Sequence, residues 1–400
     1  MAEGITELYL KSGEDRRLRA GHPWIFSNEV DTRRSPLQAL EPGAPVRVRA
    51  AGGRPLGTGY GNPHSLICVR LLSRDPSMAL DESLLVHRLN VALSLRARLY
   101  ATPCYRLVHG EADGLPGLVV DRFAAVCVVQ INTAGMERLR DALLNALERV
   151  VRPEHVLLRC DSPMRALEGL DSSVAWARGE GPATLTVEED GAWFTVPAVT
   201  GQKTGWYYDQ AANRARLARY AAGARVLDLY CYAGAWGVQA ARAGAVAVLA
   251  VDSSREALAQ AAGNAVANGV AGRFEARCGD ALEVLEQLRA AGERFDVVVV
   301  DPPAFIKRRK DQRQGQGMYR RLNQAAMQVL AKDGLLVSAS CSAHLAETDL
   351  QRIVLAAGRH LDRSLQVLEY GGQGPDHPVH PAIPETRYIK ALFARVLPSD

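Results

Sequence analysis

A thiol between two hydroxyls, Ser340-Cys341-Ser342, closes the apolar run that begins at Leu335. A cysteine so placed either fills a core or acts as a nucleophile, and its surroundings decide which. Upstream, the run FDVVVV ends in Asp301-Pro302-Pro303. Two prolines stop a strand and fix the backbone where a substrate would meet a reactive group. Further upstream, Asp228 lies in VLDLYCYAGAWG, Asp252 in AVDSS and Asp280 in RCGDA. Gly234 and Gly237 are expected in the turn after the first of these strands, where glycine lets a ligand approach the backbone. A carboxylate ending the second strand can accept both ribose hydroxyls and repel a 2′-phosphate. One ending the third can receive an exocyclic amine such as that of adenine. The G-x-G-x-x-G spacing of a pyrophosphate binder is missing, so S-adenosylmethionine fits better than NAD. Taken singly, each of these residues is an ordinary turn or cap residue.

Cys341 is expected in the same pocket as Asp301. Thiolate addition at carbon 6 of a pyrimidine makes carbon 5 enamine-like, and methyl transfer, proton loss and elimination of the cysteine follow. Asp301 would hydrogen-bond the ring edge and stabilise the adduct. Two other readings stay open. Asp-Pro-Pro turns followed by an aromatic occur in enzymes that methylate amino nitrogens, and a non-catalytic RNA-binding assembly factor would need no nucleophile.

Phosphate contacts would come from two basic clusters. Lys307 to Arg321 carries seven basic residues, including Lys307, Arg308, Arg309 and Arg313, against Asp311 alone. Arg16, Arg17, Arg19 and His22 stand beside Trp24 and Phe26, mixing cations with stacking rings. Solvated surface loops are the plain alternative for both.

The elements that must position these groups follow from periodicity. From about residue 196 onward, continuous apolar strands alternate with helices, as in an α/β, doubly wound parallel sheet that binds ligands at the carboxyl ends of its strands. Residues 1–75 read as a β-rich barrel of short strands, and 76–195 as a central α+β domain. Within the latter we expect a helix in LLVHRLNVALSLRARLY, a strand pair turning at DRFA, a helix in MERLRDALLNALERV, and a hairpin turning at EEDG. At 400 residues, 48% hydrophobic and 23% charged, the chain is globular and long enough for two or three domains. A net charge of +4 is too mild to argue for nucleic acid by itself. Seven scattered cysteines without a C-x-x-C pair argue against a disulfide framework or a structural zinc, and no metal is expected. Without a signal-like or membrane-spanning run, a cytoplasmic protein and no membrane partner are expected.

The sequence also resembles, over essentially its whole length, the RlmI-like 23S rRNA (cytosine-5)-methyltransferases. The resemblance is carried by LRAGHPWIFSNEV, YRLVHGEADGLPGLVVDRF, TGQKTGWYYDQAANR, DLYCYAGAWG, DPPAF, SCS and HPAIPETRYIKALF. It implies a Rossmann-like class I methyltransferase domain, an N-terminal PUA-like RNA-binding domain, S-adenosylmethionine as cofactor and 23S rRNA as partner, with a homodimer left open. Gln202, Lys203, Tyr207 and Asp209 would lie in the segment that closes over the cofactor. Asp228, Gly234, Asp252, Asp280 and Pro302 would contact it, and Cys341 would be the nucleophile. His109, Glu111 and Asp113 read equally well as functional groups or as a brace. Two positions depart from the pattern: Ala235 replaces a loop glycine, and Ala304 stands where paired-cysteine RNA cytosine methyltransferases carry a second cysteine. One cysteine must then suffice, and the group that removes the carbon 5 proton is not assigned.

Overall fold

The computed structural model describes residues 5–399. They form two compact units. The first comprises the chain up to Leu185 with 197–206 and 375–384, and the second comprises 186–196, 207–374 and the chain from Glu385. The chain crosses between the units after residues 185, 196, 206, 374 and 384.

Within the first unit, strands Thr6–Tyr9, Trp24–Phe26, Pro45–Arg49, Pro55–Gly61 and Ile67–Ser73 make one five-stranded sheet. Leu8, Ile25, Val46, Val48 and Val69 point into its core and are at most 2% exposed. Their neighbours along each strand are mostly less buried, as the two-residue strand period requires. A second five-stranded sheet is built in sequence order from Cys104–His109, Leu118–Phe123, Val126–Ile131, His155–Cys160 and Ser173–Arg178. Helices Glu82–Leu99 and Arg140–Val150 pack together and bury Leu85, Leu89, Leu143 and Leu147 with it. The predicted turn at DRFA shifts: Asp121, Arg122 and Phe123 finish the strand, and Ala124-Ala125 turn, with Ala124 at φ 54°. Alanine is not a turn former, so the sequence carried no signal for that position.

Buried polar groups lock this unit. Tyr60 donates its hydroxyl to the Pro116 carbonyl at 2.6 Å, and Trp24 donates Nε1 to Glu111 at 2.9 Å. Arg96, fully buried, donates to both Asp113 oxygens at 2.6 and 2.8 Å, to the Asp376 carbonyl at 2.6 Å and to the Arg106 carbonyl at 2.9 Å. A buried guanidinium persists only when it is paired and hydrogen-bonded in this way. Glu111 and Asp113 therefore have bracing partners.

The second unit is built on a seven-stranded sheet, which we label β1 (Arg225–Leu229), β2 (Ala247–Asp252), β3 (Phe274–Cys278), β4 (Phe295–Val300), β5 (Leu330–Ser340), β6 (Arg363–Gly371) and β7 (Lys390–Pro398). Its spatial order is β3-β2-β1-β4-β5-β7-β6, with β7 antiparallel to both neighbours and the other pairs parallel. Helices α1 (Ala211–Ala221), α2 (Ala235–Arg242) and α3 (Arg255–Ala267) form one packed group, and α4 (Ala281–Ala290), α5 (Gln312–Gln328) and α6 (Glu347–Arg359) another. Val297, Val298, Val299 and Val300 are at most 2% exposed, because a central parallel strand is covered on both faces. The chain reverses direction across the sheet between β1 and β4, the place where such folds open a ligand crevice.

Only the expectation for Gly237 is corrected here. Helix α5 begins at Gln312, so Arg313 is helical, and Leu330-Ala331-Lys332 belong to β5. Gly237 lies inside α2 rather than in the turn. The EEDG hairpin turns on Asp190-Gly191, both with positive φ of 50° and 72°, the conformation that a two-residue turn matched to strand twist demands.

Candidate active site

Three loops at the carboxyl ends of β1, β4 and β5 gather the polar groups of the second unit. The first, Tyr230 to Gly234, is conformationally unusual: Tyr230, Tyr232 and Gly234 have φ of 63°, 48° and 80°. Left-handed non-glycine residues cost energy and concentrate at ligand sites. Gly234 is required twice over, by its φ and because a Cβ there would lie 2.9 Å from the Cβ of Ala261. Asp252 holds the loop from β2, accepting from the Tyr232 amide at 2.9 Å while its other oxygen accepts from Ser254 at 2.9 Å. Asp228 braces it from below. It is fully buried and accepts from the Gly237 amide at 2.9 Å, whereas its Oδ1 has no hydrogen-bond partner among the described residues. Burial pushes the Asp228 carboxyl up to about 8. Asp280 is exposed and caps α4, accepting from the amides of Leu282 and Glu283 through Oδ1.

Asp301 follows β4, with Pro302 buried behind it. Gln210 donates Nε2 to its Oδ1 at 2.9 Å, and Trp236 donates Nε1 to its Oδ2 at 3.0 Å. Desolvation raises its carboxyl to about 6 against the opposing pull of the Trp236 bond. Gln210 is itself oriented by Asn213, which donates to its Oε1 at 2.6 Å. Sequence reasoning missed Gln210 and Trp236. An indole in the first turn of the helix that follows the glycine loop was the available signal.

Tyr207 stands where these groups converge. Its ring meets that of Tyr232 edge-on at 5.5 Å. Its phenol is pushed upward by burial first, then by the charges of Tyr232, Asp209, Asp301 and Cys341. Its backbone carbonyl accepts from Arg214 at 2.9 Å, and Arg214 forms a buried bidentate pair with Glu189 at 2.5 Å on each arm. Asp209 is buried and accepts from the Tyr388 hydroxyl at 2.7 Å. Gln202 and Lys203 belong to the first unit and are exposed in a turn closed by the Gly205 amide on the Gln202 carbonyl at 2.8 Å, with Lys203 at φ 52°.

Cys341 is the residue after β5 and is half-buried, whereas the serines flanking it are enclosed. Ser340 donates to the Tyr319 hydroxyl at 2.8 Å, the Tyr319 hydroxyl lies 2.9 Å from the Ser342 hydroxyl, and the Ile306 amide donates to that same Ser342 oxygen at 3.3 Å. Each flanking hydroxyl is thus spent on fixing the turn. The Ser342 carbonyl accepts from Lys390 Nζ at 2.6 Å. Lys390 opens β7 opposite Ser340 and is 4% exposed. In the sequence it is a cation in the apolar run YIKALFARV, at the end of the HPAIPETRYIKALF segment.

The basic residues lie at the surface. Lys307, Arg308, Arg309 and Arg313 are exposed, with Arg308 paired to Asp311 at 3.0 Å. In the first unit Arg16 is exposed, Arg17 pairs with Glu29 at 2.7 Å and stacks over Phe26, and Arg19 pairs with Asp15 at 3.2 Å. Among the described residues no cluster of His, Cys, Asp and Glu could hold a metal ion, and no helix is long and apolar enough to cross a membrane.

Known proteins share this architecture. Residues 8–74 match the PUA-like domain family, and residues 115–391 match the S-adenosylmethionine-dependent methyltransferase family. A solved methyltransferase complexed with SAH superposes with a TM-score of 0.83 at 19% identity, covering 98% of this chain and all (100%) of its own. A structure described as a SAM-dependent methyltransferase from Streptococcus mutans gives 0.82 at 20% identity, with 98% and 100% covered. At that identity the likeness is one of fold. Closer in sequence are ribosomal RNA large subunit methyltransferase I of Shewanella denitrificans, 38% identical with 97% of this chain and 98% of the relative covered, and that of Photobacterium profundum, 37% identical with 98% and 99% covered. The chain belongs to the S-adenosylmethionine-dependent methyltransferases with a PUA-like N-terminal domain, in the ribosomal RNA large subunit methyltransferase I group, and its cofactor is S-adenosylmethionine.

Proposed function

We propose that the protein methylates carbon 5 of a cytosine in 23S rRNA, with Cys341 as nucleophile. The observation that carries this reading is the fixed turn at the end of β5: it presents a half-buried thiol between two enclosed hydroxyls that hold the backbone in place. The charges of Cys341 and Asp301 both act on Tyr207, whose ring touches the glycine loop. The site also suits the cofactor. A buried carboxyl oxygen lacking a partner among the described residues, Oδ1 of Asp228, lies beneath a strained loop, the combination that marks a ligand site. Gly234, Asp252, Asp280, Tyr207, Asp209 and Pro302 would hold the cofactor in the second unit, with Asp228 acting through the loop it braces. Gln202 and Lys203 carry that role by family resemblance alone. When bound, S-adenosylmethionine supplies an electrophilic methyl group.

The residues of the chain do the rest. The Cys341 thiolate adds to carbon 6, its electron pair forming the S–C bond while the carbon 5–carbon 6 pair shifts to carbon 5. Carbon 5 takes the methyl group, then loses its proton, and the returning electron pair expels the thiolate. Asp301, held by Gln210 and Trp236, faces the ring edge as a fixed acceptor or, protonated, as a donor. Arg16, Arg17 and Arg19, together with Lys307, Arg308, Arg309 and Arg313, would contact RNA phosphates.

The test compares wild type and Cys341→Ala on unmodified 23S rRNA with S-adenosylmethionine, reading digested nucleosides by mass spectrometry. 5-Methylcytidine from the wild type alone is expected, with cofactor binding by calorimetry preserved in the variant. Equal product from both proteins, or a methylated purine, would refute the reading.

A further inference from the structure

The lysine that opens β7 is not needed to explain the sheet. A cation in an apolar strand costs desolvation unless something compensates it, and a single hydrogen bond to the Ser342 carbonyl is modest compensation for a side chain 4% exposed. Register explains its aim. Lys390 pairs with Ser340 across the β5–β7 ladder, and its ammonium reaches the carbonyl of Ser342, so the side chain runs from the residue before Cys341 to the residue after it. We infer that Lys390 is a positioning residue that keeps the Cys341 sulfur as a thiolate by placing its ammonium alongside. The inference deepens the proposed function, resting on Cys341 as nucleophile, and assigns a role to a residue outside the motifs of glycine loop, Asp-Pro-Pro and Ser-Cys-Ser.

Electrostatics agree with the geometry. Burial pushes the Lys390 ammonium down to about 8, and the Cys341 sulfur is the largest influence holding it up. It therefore stays cationic at neutral pH. Arg387 and Glu347 also face it, and since they bond each other at 2.6 Å their effects on Lys390 oppose. The phenols of Tyr207 and Tyr319 also feel the charge of the sulfur, with Asp209 and Asp301 acting on Tyr207 as well. None of these is a cation, and Lys390 supplies a positive charge beside the thiol.

The readout is alkylation of the full-length protein by iodoacetamide across pH 5 to 10 (roughly the span over which a thiol ionises), with carbamidomethylation at Cys341 and at the exposed Cys278 quantified by peptide mass spectrometry. Cys341 is expected to reach half-maximal reactivity at lower pH than Cys278. Lys390→Met should move the Cys341 midpoint up by about one unit or more, roughly a tenfold loss of reactivity at pH 7, with Cys278 unmoved and Lys390→Arg restoring most of the difference. A Cys341 midpoint unchanged in Lys390→Met overturns the inference. So does a wild-type midpoint at or above that of Cys278, a comparison that needs no variant to fold. If the midpoint is unchanged while Cys341→Ala is inactive, the inference fails and the nucleophile stands. Methyl transfer retained by Cys341→Ala overturns both.

Discussion

Replacing Tyr319 by Phe removes one oxygen atom and leaves the ring, its contact with Phe305 at 4.8 Å and the surrounding core unchanged. That oxygen accepts from Ser340 at 2.8 Å and lies 2.9 Å from the Ser342 hydroxyl, and all three residues are at most 1% exposed. Ser342 keeps the Ile306 amide as a donor to its oxygen, so its loss is one net bond, about 1 kcal/mol. Ser340 is left with a buried hydroxyl proton and no acceptor, a penalty of about 1–3 kcal/mol. Together the variant should be destabilised by about 2–4 kcal/mol, read from the shift of the urea midpoint at constant slope. Adding Ser340→Ala removes the orphaned donor, and the double variant should recover about 1 kcal/mol or more. Because the same bonds fix the turn that carries Cys341, kcat for methyl transfer should fall while KM for S-adenosylmethionine changes little. Displacement of a reacting group by about 1 Å costs about a hundredfold in rate. A midpoint within experimental error of wild type, or full kcat, would refute the view that the serines exist to hold the thiol.

Other perturbations probe the rest of the site. Arg214→Met strands the buried Glu189 carboxylate and should cost about 3–5 kcal/mol by urea unfolding, whereas Arg214→Met with Glu189→Leu should recover much of it. Strict additivity of the two single variants would count against the pair. Asp228 carries a folded pKa of about 8, well above that of an ordinary aspartate. The native state therefore holds a proton that the unfolded chain has released, so its contribution to stability is complete below about pH 4 and is lost as pH rises to about 8. Urea midpoints at pH 5 and 8 should differ less in Asp228→Asn than in wild type, and an unchanged difference would remove Asp228 as the source. Arg309→Gln with Arg313→Gln should reduce the salt dependence of rRNA binding by about 0.7–0.9 in slope for each phosphate no longer neutralised, leaving cofactor affinity intact. An unchanged slope in a filter-binding titration would exclude these side chains from the RNA interface.

What could be seen beforehand depended on distance along the chain. The strands of the second unit announce themselves because DVVVV and LLVSAS are continuous apolar segments, and Asp301 and Cys341 are legible as polar residues that end them. Asp190-Gly191 was legible as a turn because its chemistry is local. The partners that give these residues their state lie far away: Gln210 is 91 residues from Asp301, Trp236 is 65, and Lys390 is 48 from Ser342. No local pattern marks a glutamine or an indole as the donor to a distant carboxylate. Gly237 was misplaced for a related reason, since the Asp228 bond that draws its amide into the first turn of α2 is a tertiary contact.

The bonds that saturate Arg96 also bear on how the protein is made. The Asp376 carbonyl that accepts from its guanidinium lies 280 residues later in the chain, and the carboxylate of the same aspartate accepts from the Arg106 amide. At a translation rate of about 5–20 residues per second, that acceptor leaves the ribosome roughly 15–55 seconds after the arginine does. For that interval the nascent first unit holds a cation whose final site is incomplete, and its two sheets cannot reach their finished state before the methyltransferase sheet has largely been synthesised. The first unit, although synthesised first, is therefore completed only shortly before the second, and release of a truncated chain ending before residue 375 would leave the amino-terminal half unfinished as well.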